Sequence, residues 1–99
     1  MSNAHVTFIA KVTAKAGSEG QLAEALTSLI APTRAETGCR HYFPHASLDN
    51  PREFHIYESW NTESDFETHT KTPHFQAMMA RFPELLDGPP SRIMLRDLG

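Results

Sequence analysis

Ninety-nine residues, 39% of them apolar and 21% charged, make one globular domain with no room for a second. The net charge of −3, with six Arg and three Lys scattered from Lys11 to Arg96, gives no basic field and argues against a nucleic-acid partner held by its phosphates. A single cysteine, Cys39, excludes an intrachain disulfide and a zinc site built on a Cys pair.

No apolar run approaches the roughly 20 residues of a membrane span, and no signal-peptide core opens the chain. The expectation is a soluble, cytoplasmic protein without a membrane partner. Ser2-Asn3-Ala4 reads as the remainder of a cleaved purification tag. Residues 1–4 are therefore set apart from a single domain over 5–97.

From His5 to Ala14, Val6, Phe8, Ala10 and Val12 alternate with Thr7, Ile9, Lys11 and Thr13, the period of a strand with one apolar face. Gly17 turns the chain, and Ser18 with Gln21 has the spacing of a capping box at a helix start. Leu22, Ala25, Leu26 and Leu29 then recur at helical spacing. Pro32 is expected to kink or interrupt that helix, and Gly38 to end it as a left-handed cap. Cys39 to Ser47 and Glu53 to Trp60 read as two strands around the turn-forming Leu48-Asp49-Asn50-Pro51-Arg52. A hairpin there sets Tyr42 near Glu58, Phe43 near Tyr57 and His45 near His55, with Pro44 marking an edge or a bulge.

Thr62 caps a short helix carrying Phe66, with Asp65 as its box partner. Thr72 caps the next, with Pro73 in the first helical position where a missing N–H costs nothing. Phe75, Met78, Met79 and Phe82 form its apolar stripe, Pro83 breaks the run, and Ile93-Met94-Leu95 reads as a last strand. The order β-α-β-β-α-β predicts an α+β, ferredoxin-like fold: an antiparallel sheet with helices on one face.

Three segments carry more specific information: Thr37-Gly38-Cys39-Arg40-His41-Tyr42-Phe43-Pro44, Tyr57-Glu58-Ser59-Trp60, and His69-Thr70-Lys71-Thr72-Pro73-His74-Phe75. Together they resemble the antibiotic biosynthesis monooxygenase family, over nearly the whole chain from His5 to Leu95. The Gly38-Cys39 to Pro44 segment is most similar to its quinol monooxygenase branch. The resemblance implies a dimeric α+β barrel, two sheets paired face to face in a homodimer. It also implies oxidation of an electron-rich quinol or hydroxyaromatic by O2 without flavin, haem or metal. The residues agree on cofactors by absence, since there is no Gly-rich phosphate loop, no Cys cluster and no helical His motif. His45 and His55, alone, are a poor metal site and read as a solvated cross-strand pair.

Other branches of the family leave other readings open. Positions corresponding to the haem-degrading branch's Asn, Trp and His hold Ala10, His69 and Met79 here, which argues against haem degradation. An isomerase branch acting on a small phosphorylated compound shares a similar His…Thr-Pro-His-aromatic stretch. Isomerase or tautomerase chemistry, and a non-catalytic module binding a small ligand, are the alternatives.

Cofactor-free oxygenation needs a base, an apolar cavity and hydrogen bonds that place the ring. His69 is the candidate base or proton shuttle, because an imidazole titrates near neutrality. His74, in the first turn of its helix, is a candidate catalytic group, a donor to a phenolate or carbonyl oxygen. Trp60, Phe75, Met78, Met79 and Phe82 are candidate substrate-binding wall, although a stripe at helical spacing also reads as plain core. Tyr42 is a further wall candidate, or a structural hydrogen-bond partner of Glu58. Cys39 reads as a small buried hydrophobe.

Overall fold

Alternation decides the sheet. In the computed structural model, which describes residues 5–99, β1 (Val6–Thr13) buries Phe8 and Val12 on one face and sends Lys11 to the other. The tag-like Ser2-Asn3-Ala4 lies outside the described residues. β1 is followed by α1 (Glu19–Ser28), α2 (Ile30–Arg34), β2 (Cys39–Ala46), β3 (Glu53–Trp60), α3 (Glu63–Thr70), α4 (Pro73–Leu85) and β4 (Ser91–Leu95). The four strands form one antiparallel sheet in the order β2-β3-β1-β4. This is the expected α+β, ferredoxin-like arrangement.

The expected hairpin pairs are all present: Tyr42 opposite Glu58, Phe43 opposite Tyr57, His45 opposite His55. Pro44 sits on β2, an edge strand, where its missing N–H breaks no central ladder. Arg40 is the extra residue of a bulge between Cys39 and His41. Directly opposed residues share a face, so Phe8, Glu58, Tyr42 and Met94 look to one side, as do Ala10, Ile56 and Arg92. That side carries the helices, and Leu22, Leu26, Tyr42, Phe54, Ile56, Met78 and Leu85 close its core.

Four local expectations need correction. Ser18 is the N-cap of α1 but makes no side-chain cap bond, so the Ser18/Gln21 box is not formed. Gly38 is not a left-handed cap, since among the described residues only Gly17 and Gly88 have positive φ. Its reason is space: a Cβ on Gly38 would overlap the Asp65 side chain at the start of α3. Pro83 does not end α4, which continues to Leu85, because only the bond back to Met79 is lost. No hydrogen bond joins Tyr42 to Glu58, whose carboxylate is taken by Trp60. Pro32 acts as expected: it cannot donate to the carbonyl of Ser28, where α1 stops and α2 begins.

Candidate active site

Two caps set the position of the central histidine. Thr62 Oγ1 accepts from Asp65 N–H at 3.0 Å and starts α3, whose last turn carries His69. Thr72 Oγ1 accepts from Phe75 N–H at 3.2 Å and donates to the His69 carbonyl at 2.8 Å. One hydroxyl thus ties the end of α3 to the start of α4. Pro73, in the first turn of α4, withdraws a donor that would have had no partner. The His69 ring is inserted among aromatic side chains, 4.3 Å from the Trp60 ring and 4.9 Å from the edge-on Phe75 ring, centroid to centroid.

His69 is only 3% exposed. Its Nδ1 lies 2.8 Å from Glu36 Oε2, which fixes Nδ1 as the protonated nitrogen against a carboxylate and leaves Nε2 as the ring's basic lone pair. Burial lowers the His69 pKa, opposed by the hydrogen bond and charge of Glu36, so the neutral ring is the form held at pH 7. His74 Nε2 reaches the same Glu36 oxygen at 2.7 Å.

Between the sheet and α4 lies a cavity of about 230 Å³ with an almost wholly apolar wall. Of the six residues expected on that wall, Tyr42, Phe75, Met78, Met79 and Phe82 line it, and His69 does too. Trp60 does not: it is fully buried, packed against the His69 ring instead of facing the cavity. His74 does not line it either; its Nε2 is engaged with Glu36.

Sequence reasoning missed three charged groups here. Glu58 and Arg92 line the cavity, and Glu36 holds its histidine. Glu58 had a visible signal, because it shares the parity of Phe54 and Ile56 on β3 and so was bound for the buried face. Arg92 stands over the Phe8 and Phe66 rings at 4.9 and 5.4 Å. Glu36 comes from the loop before β2 and had no periodicity to betray it.

Burial pushes the Glu58 carboxyl up to about 7, against the opposing hydrogen bond from Trp60 Nε1 (3.1 Å) and the charge of Arg92. The Tyr42 phenol is raised by burial and then by the nearby Glu58 charge, so it stays protonated. The Cys39 thiol is pushed up to about 11, chiefly by burial, which leaves it a thiol and no nucleophile.

Glu58 makes stability depend on pH with a definite sign. Its folded pKa of about 7 exceeds its ordinary 4.5, so the folded protein binds the proton more tightly. That stabilisation is complete below pH 4.5 and is lost as pH rises through about 7. Glu58→Gln keeps the acceptor for Trp60 and carries no charge. It is expected to be more stable than the parent by roughly 1–3 kcal/mol at pH 8 and close to it at pH 5. Urea unfolding at the two pH values checks this; an equal difference at both would contradict it.

The arrangement offers a base held by a carboxylate, a carboxyl poised near neutrality and a guanidinium, all bordering one apolar cavity. The chain matches the family described as antibiotic biosynthesis monooxygenase over residues 5–81. It is 31% identical over 93 residues to "Putative monooxygenase Rv0793" of Mycobacterium tuberculosis, covering 94% of this chain and 91% of that protein. It is 34% identical over 62 residues to "Putative monooxygenase YcnE" of Bacillus subtilis, covering 63% of this chain and 65% of that one. Among solved structures, PA3566 from Pseudomonas aeruginosa superposes with a TM-score of 0.92 at 32% identity, covering 100% of this chain and 98% of that one. The fold, the matched segment and the identity to these relatives agree: the chain belongs to the antibiotic biosynthesis monooxygenase family.

Proposed function

We propose that the protein is a cofactor-independent monooxygenase that oxidises a quinol or related hydroxyaromatic with O2, in keeping with its likeness to the quinol branch. The observation that carries this reading is His69, fixed through Nδ1 by Glu36 on the wall of a cavity that is otherwise almost entirely apolar. His69 Nε2 takes the phenolic proton. The anion so formed is poorly solvated among Phe75, Met78, Met79 and Phe82, and its reactivity toward oxygen rises accordingly. Protonated Glu58 donates to a second ring oxygen, and Arg92 places positive charge beside the developing anion. Uptake of O2 by a quinol gives a hydroxylated quinone and water, so the substrate supplies every electron. This chemistry requires no metal, haem or flavin.

A second reading rests on the same pair. His69 as base and Glu58 as acid also suit proton transfer in a small carbonyl compound, an isomerisation or tautomerisation without oxygen. Oxygen-electrode measurements on the purified protein with a panel of quinols separate the two. The first reading expects oxygen uptake that tracks substrate loss. Turnover of a carbonyl substrate under nitrogen, with no oxygen uptake from any quinol, would replace it with the second; no turnover at all leaves a binding module.

The assembly we propose is a homodimer, closed sheet to sheet. The face without helices carries Ile9, Phe43, Tyr57, Ile93 and Leu95, with Ile93 65% exposed in the single chain. Covering such a surface asks for an obligate interface on the order of 2,000 Å². A monomer at micromolar concentration in light scattering would remove this part of the account.

A further inference from the structure

Glu36, His69 and His74 reach one point from three elements. Glu36 lies in the loop between α2 and β2, His69 near the end of α3, and His74 in the first turn of α4. His69 Nδ1 and His74 Nε2 approach the same oxygen, Glu36 Oε2, at 2.8 and 2.7 Å, and the three donor atoms all fall within 4.8 Å of one another. No other group of three or more His, Cys, Asp and Glu donors meets this spacing among the described residues.

Two imidazole nitrogens and one carboxylate oxygen are a donor set that first-row divalent cations take. An ion about 2.0–2.2 Å from each donor asks for donor separations near 3 Å, which the two nitrogen–oxygen spacings already approach. The remaining adjustment falls on His74, whose side chain is 22% exposed and stands in the first turn of α4. Because Glu36 and His74 both touch solvent, an ion reaches the site without crossing the apolar cavity.

We propose that Glu36, His69 and His74 form a reversible binding site for a first-row divalent cation, zinc foremost, and that its occupation silences the cavity histidine. Coordination at Nδ1 moves the ring proton to Nε2, so His69 stays neutral but loses its basic lone pair. No electron is transferred, and only the imidazole tautomers change. Three protein ligands leave a coordination position for water, as in an exchangeable site and unlike a closed structural one. The silencing rests on the catalytic reading given above; the binding does not.

The test titrates the metal-stripped full chain with Zn2+ by calorimetry and with Co2+ by visible absorption. One equivalent per chain is expected. His74→Ala and Glu36→Gln should each weaken uptake beyond the about 10–100-fold that losing an outer-shell partner costs. The double variant His45→Ala/His55→Ala, altering the exposed cross-strand pair, should bind as the parent does. Circular dichroism verifies folding, with His74→Gln as the substitute if His74→Ala does not fold. Absence of uptake at roughly 1 mM metal, the weak end of binding, would overturn the site, and so would uptake unchanged in both ligand variants. Zinc binding without any quinol oxidation by the zinc-free protein would sink the catalytic reading while leaving the site in place.

Discussion

His69→Phe is expected to lower kcat for quinol oxidation by about 10²–10⁴-fold, the range for loss of a positioned acid or base. Phenylalanine is the informative replacement because His69 is buried, only 3% exposed. The ring is needed as packing against Trp60 and Phe75, and His69→Ala would combine a cavity with the lost base. A phenyl ring fills the place and cannot take a proton. Glu36 keeps one donor, His74, so its carboxylate is not stranded. A kcat within about threefold of the parent, too small for lost acid–base catalysis, would assign proton removal to Glu58 or solvent.

Trp60→Ala carries the second large effect, on stability. Trp60 is fully buried, stands 4.3 Å from the His69 ring and gives its Nε1–H to Glu58. Deleting the indole should cost about 3–5 kcal/mol, a large part of the roughly 5–15 kcal/mol that holds a small domain together. Trp60→Phe should cost less, since a ring remains behind His69, while Glu58 loses its donor. Urea denaturation measures both; a Trp60→Ala variant within about 1 kcal/mol of the parent would mean the site collapses around the gap without penalty.

The two variants also separate the roles of neighbouring rings. Trp60 touches both His69 and Glu58 without lining the cavity, so any effect of its replacement on rate is expected to pass through them.

Periodicity made the sheet legible. Two-residue alternation in β1 marked the first strand, and the turn formers between β2 and β3 placed Tyr42 opposite Glu58 and His45 opposite His55. Thr62 and Thr72 announced their helices because a cap needs only a hydroxyl at fixed spacing, whereas Ser18 has the spacing and forms no bond. The stripe Phe75, Met78, Met79 and Phe82 could equally have been core, and periodicity alone does not distinguish a filled interior from a cavity wall. Trp60 went the other way, into the interior. Glu36 was the least legible residue of all: it joins two histidines 33 and 38 positions away, a long-range contact that no local pattern encodes.

Proton removal inside the cavity is the step on which the proposed reaction depends, and a ligand that ionises without reacting measures it. An oxidation-resistant hydroxynaphthalene, followed by ultraviolet absorption, should bind the parent as its anion at a pH where the free compound is neutral. It should bind His69→Phe in the neutral form. A neutral ligand in the parent, an equal anion in both proteins, or no binding at all would contradict the account.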